Sequence, residues 1–114
     1  MKTPPSLIPE LTVSNLSASL IFWRDLVGFQ ILHERPEEGF VYLALGNAHL
    51  MLEQQNLAAR DWASAALEKP FGRGINFEIQ VIDIGIIIER TRQRGVEFFL
   101  PPEERWYRHG QVEV

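Results

Sequence analysis

The feature that most constrains this chain is a run of local signals that occurs twice. Val13-Ser14-Asn15-Leu16 recurs as Val81-Ile82-Asp83-Ile84, Arg24 as Arg92, and Gly28-Phe29 as Gly95-Val96. In both runs a strand leads into an Asx residue that can cap a helix, the helix stops at a glycine that tolerates left-handed backbone, and a second strand follows. The offset is 68 residues at the caps and 67 at the glycines, so the first helix is one residue longer than the second. A duplicated supersecondary unit is the simplest account; the alternative is coincidence, because cap and stop signals recur in any mixed fold.

The repeat has to be built within 114 residues, of which 46% are hydrophobic. That length suits one domain over 1–114 with a single core. Around the first run the signals are complete. Ile8 to Val13 reads as a strand and Asn15 to Val27 as a helix with Leu16, Leu20, Trp23 and Val27 on one face. Phe29 to Arg35 reads as a strand, 36–39 as a turn, and Phe40 to Leu45 as a strand. Gly46-Asn47 reads as a two-residue hairpin turn and His49 to Glu53 as its return strand. This is a βαβββ unit over 7–54.

Residues 55–74 form a linker in which the alanine-rich Leu57 to Leu67 could be a short helix, and 75–114 hold a second unit. There GINFEIQV alternates, with Ile75, Phe77, Ile79 and Val81 on one side and Asn76, Glu78 and Gln80 on the other, which predicts a strand. Asp83 then caps a helix of about eleven residues that ends with Arg90, Arg92 and Arg94 before Gly95. Val96 to Leu100 reads as a strand. The expected class is α+β, with paired βαβββ units.

Charge and composition remove several functions. A net charge of −4 leaves no basic excess for phosphates, so nucleic acid is not an expected partner and a cationic ligand fits better. With no cysteine there are no disulfides, thiolate metal sites or thiol nucleophiles. MKTPPSLIPE has no signal-like apolar run, and no stretch is long enough to span a bilayer, so a cytoplasmic protein is expected. Pro4, Pro5 and Pro9 stiffen an extended arm. His33, His49 and His109 lack the spacing of a metal motif, and a surface position is the better reading for each. Gly72-Arg73-Gly74 is not followed by a helix and reads as a turn, not a phosphate loop.

The stretch IPELTVSNLSASLIFWRDLVGFQILHERPEEGFVYLALGNAHLMLEQ resembles the first module of the vicinal oxygen chelate superfamily, in its glyoxalase and bleomycin-resistance branch. Phe22-Trp23, Arg24-Asp25 and Gly28-Phe29 carry much of the likeness, and GRGINFEIQV followed by Asp83 is similar to the opening of the second module. The resemblance implies further strands past Val114, so the second module is expected to be incomplete, with an unpaired sheet edge unless a partner chain or further residues cover it. The resemblance implies a groove in which catalytic members hold a divalent ion with one ligand from the first strand and one from the last strand of each module. Here the first-strand positions fall on Ile8 and Asn76, the third near Leu52 or Glu53, and the fourth beyond Val114. An isoleucine cannot ligate and an asparagine does so weakly, so no metal and no other cofactor is expected.

Strand alternation would put Glu10, Thr12, Glu78 and Gln80 on the side of Ile8 and Asn76, an acidic groove floor; that they simply face water stays open. The expected ligand-binding residues are Phe40, Tyr42, Glu53, Trp62, Glu78 and Trp106. Flat aromatic faces beside carboxylates suit planar cations, and by resemblance Trp106 matches a cleft tryptophan and Phe40 an aromatic at the groove entry. Phe22 and Trp23 read as core. The function implied is a metal-free, non-catalytic homodimer that sequesters a cationic or aromatic small molecule, such as a bleomycin-like antibiotic, in a cleft between subunits. The alternatives are a glyoxalase- or extradiol-dioxygenase-like metal-dependent enzyme using Glu53 and a carboxylate from past residue 114, and an interaction module without a small ligand.

Overall fold

The computed structural model describes residues 5–55, 64–97, 100–105 and 108–113, the last two segments as backbone. The chain divides into two compact units, Met1–Glu78 and Ile79–Val114.

The first unit is a four-stranded sheet with a helix. Strands β1 (Glu10–Val13), β2 (Gln30–Arg35), β3 (Phe40–Leu45) and β4 (Ala48–Gln54) lie in the order β1-β4-β3-β2. The strand β1 runs parallel to β4, and the other pairs are antiparallel. Only a crossover connection can make β1 and β4 parallel neighbours, and the helix supplies it. Helix α1 (Leu16–Leu20) continues as a π-helical segment, Ile21–Val27, closed by Gly28 at φ 106°. Asn15 Oδ1 accepts from the Ala18 N–H at 3.1 Å, and Gln54 Oε1 accepts from the Leu16 N–H at 3.0 Å. Two donors that a helix start leaves unsatisfied are thereby met, one by the cap and one by the last strand. All four residues expected on the apolar helix face are half-buried, but the most buried is Leu26 at 2%. The wider turn, with the Gly28 N–H donating to the Trp23 carbonyl, slips the phase of the face by a residue.

The core lies on one side of this sheet. Cross-strand pairs Val41↔Leu52 and Leu43↔Leu50 are buried, Leu43 and Leu52 completely. Gln54 shares their side and touches the helix start, so this is the helix side of the sheet. At its margin Trp23 packs edge-to-face on Phe22, Phe29 and Phe77, with centroids 5.0, 5.6 and 6.4 Å apart. Phe29 is buried, whereas Phe22 and Trp23, expected as core, are half-buried.

Two expectations are corrected. Residues 75–81 form no strand. Their alternation is real, but a strand persists only where a neighbour takes its backbone hydrogen bonds, and neither sheet edge does so; Ile75 stays 58% exposed. Residues 64–67 are not helical, and the rest of the expected linker helix, 57–63, lies outside the described residues.

In the second unit Asp83 caps helix α2 (Ile84–Gln93), accepting from the Gly85 N–H at 2.9 Å, and Gly95 follows at φ 67°. Arg90 and Arg92 occupy its last turn, where cations favour the helix dipole. Strands β5 (Leu100–Arg105) and β6 (Arg108–Glu113) form an antiparallel pair. Residues 96–97 are not strand, so this strand begins later than the expected Val96; residues 98–99 lie outside the described residues.

Candidate binding face

The register of the first sheet decides which side chains stand together. Opposite the helix side, alternation groups Glu10 and Thr12 of β1, Phe40 and Tyr42 of β3, and His49, Met51 and Glu53 of β4. Ile8, two residues before Glu10, continues this side, and the Pro9 carbonyl still accepts from the Met51 N–H at 2.9 Å. The uncertainty between Leu52 and Glu53 is thereby removed: Leu52 is core, and Glu53 pairs with Phe40 and Thr12 on the face away from the helix.

This face is neither ordinary surface nor core. Phe40 is 7% exposed, His49 9% and Glu53 7%, while Glu10, Thr12, Tyr42 and Met51 are half-buried. A sheet that merely faced water would leave its carboxylates and imidazole exposed. Buried polar groups need partners, and among the described residues every buried side-chain nitrogen and oxygen has one. The Tyr42 hydroxyl lies 2.6 Å from His49 Nδ1, with the rings edge-to-face at 5.4 Å. The Arg35 guanidinium sits over the Phe40 ring, 4.1 Å from its centroid, and also pairs with Glu38.

His49 is therefore not the surface residue expected from the sequence. The reason is cross-strand: Ala44↔His49 pairing sets Tyr42 on the diagonal, within reach of an aromatic side chain. The signal was present in the Gly46-Asn47 turn, which sets the hairpin register and so the partner. His33 is exposed; the side chain of His109 lies outside the described residues.

The expected binding residues thus separate. Phe40, Tyr42 and Glu53 share one face. Glu78 is exposed in a segment outside any ladder, as are Asn76 and Gln80. Trp62 and Trp106 lie outside the described residues. Where the fold would use a metal, the donors do not fit: Ile8 has no donor atom, and Asn76 offers a neutral amide on an exposed segment. Among the described residues no three His, Asp or Glu side chains are grouped to hold a metal ion.

A sheet of this order with a parallel β1 and β4, carrying a sheltered polar face opposite its helix, defines a βαβββ module. A family model described as the Glyoxalase/Bleomycin resistance protein/Dioxygenase superfamily matches residues 8–113, and the chain belongs to this superfamily. A solved superfamily member from Vibrio splendidus is 34% identical over 90% of this chain and 80% of its own, with a TM-score of 0.40. A virulence protein from Salmonella typhimurium is 21% identical over 98% and 86% of the two chains, with a TM-score of 0.65. A fosfomycin resistance protein from Listeria monocytogenes is 18% identical over 92% and 75%, with a TM-score of 0.56. The last two share the fold. No match was found among curated proteins.

Proposed function

We propose that this chain binds a small planar or cationic compound without a resident metal and without transforming it. It acts as a cytoplasmic homodimer in the manner of bleomycin-resistance proteins, with bleomycin-like antibiotics as the first candidates. The observation that carries this reading is the composition of the face away from the helix. It keeps the aromatic and acidic groups of a binding surface, Phe40, Tyr42, Glu10 and Glu53, yet has Ile8 where a metal would need a donor. Arg35 over Phe40 supports it from within, since a planar cation already rests on an aromatic ring there. The proposal extends, on the sequence alone, to Trp62 and Trp106 as ligand-binding residues.

Isothermal titration of the chain with metal-free bleomycin tests the reading. Saturable heat is expected, weakened about tenfold by Glu53→Gln through loss of a sheltered carboxylate facing a cation. No heat at high micromolar protein removes the drug. A second reading, a metal-dependent lyase or dioxygenase, is favoured by one observation, the placement of Glu53 on that face. Stoichiometric nickel, zinc or iron retained by purified protein would support it.

A further inference from the structure

We infer that Tyr42, held by His49, is a hydrogen-bond acceptor that selects ligands carrying N–H groups on a planar cation. The inference rests on the cation-binding reading and goes beyond it by naming the part of the ligand that is read. The 2.6 Å separation of Tyr42 Oη and His49 Nδ1 lies inside the range for an O–H donor and below that for an N–H donor. A phenol is a stronger acid than the N–H of neutral imidazole, and the imidazole nitrogen is the better base, so the shared proton stays on Oη and is donated to Nδ1. Its one proton committed, Tyr42 has only lone pairs left to offer. Donation to a nitrogen base also polarises the hydroxyl oxygen and strengthens it as an acceptor.

The surroundings keep this polarity in place. His49 is 9% exposed, so its ring is held by packing, whereas half-buried Tyr42 retains accessible surface. Glu10 and Glu53, acceptors when ionised, occupy the same face. A ligand carrying N–H donors satisfies this set; an aromatic cation of equal charge without them leaves Tyr42 unanswered. His49 is a positioning residue in this account, acting through Tyr42.

The test uses two aromatic monocations, benzamidine, which has N–H donors, and trimethylphenylammonium, which has none, titrated into the whole chain and followed by NMR. Benzamidine is expected to bind about tenfold more tightly and to shift the Tyr42 and His49 ring signals, with Tyr42→Phe narrowing the gap to what the Glu10 and Glu53 carboxylates alone supply. Equal binding by the native chain, or a gap undiminished by Tyr42→Phe, overturns the inference while leaving the cation-binding reading intact. Binding of neither probe overturns both. Independently of any probe, nitrogen spectra of the His49 ring in the ligand-free protein should show the neutral form protonated at Nε2. A proton on Nδ1 would reverse the polarity and end the proposal.

Discussion

At the scale of single residues, the side of the sheet a position occupies governs what it does. Leu52 and Glu53 are neighbours in sequence, yet one is fully buried in the helix-side core and the other stands among polar groups on the opposite face. Leu52→Ala is expected to cost about 2–5 kcal/mol, because the cavity it leaves is lined by side chains already packed on two strands. Urea denaturation would show it as a lower midpoint with an unchanged slope, and a change below about 0.5 kcal/mol would contradict the assigned core. Tyr42 was legible as sharing a face with Phe40 because period-two alternation is written in consecutive residues, whereas Ile8 and the position at Leu52 or Glu53 came from the family resemblance, which left the register open by one residue. His49 was not, since the burial of a histidine depends on a hydroxyl from another strand.

Elements show the same division between local and non-local causes. The first module emerged almost entirely from its local signals: Asn15 caps the helix, Gly28 ends it in left-handed backbone, and Gly46 turns the hairpin at φ 59°. At Gly46 a side chain would meet nothing within 4 Å, so a substitution there reports backbone strain alone. Gly46→Ala is expected to destabilise by about 1–2 kcal/mol, and Asn15→Ala by about 1 kcal/mol through the lost cap. Thermal melts of the two variants would check this; a Gly46→Ala protein as stable as the parent would contradict the turn geometry. Residues 75–81 mark where local reasoning stopped. Their alternation was clear, but pattern alone cannot say whether a neighbouring strand exists to pair with them.

At the scale of the whole molecule, apolar exposure is the property that bears on the proposed dimer. Leu7 is 79% exposed, Ile75 58% and Ile86 49%, and Ile82 is fully exposed. Scattered apolar residues are ordinary on a surface, but several large aliphatic side chains on a chain of this size fit a self-associating protein. Light scattering across a dilution series is expected to give twice the 13.1 kDa chain mass, and a monomer at high micromolar concentration would remove the dimer from the proposed function. None of the described helices is long and apolar enough to cross a membrane. Sequence by itself determined the α+β class, the first βαβββ module and the absence of a donor at position 8, because caps, turns, alternation and residue chemistry act over a few neighbouring positions. Only the tertiary structure decided that Glu53 and not Leu52 joins Phe40 and Tyr42, that His49 is buried against Tyr42, and that 75–81 has no ladder. Each of those depends on hydrogen bonds or contacts between segments remote along the chain, which a linear pattern does not encode.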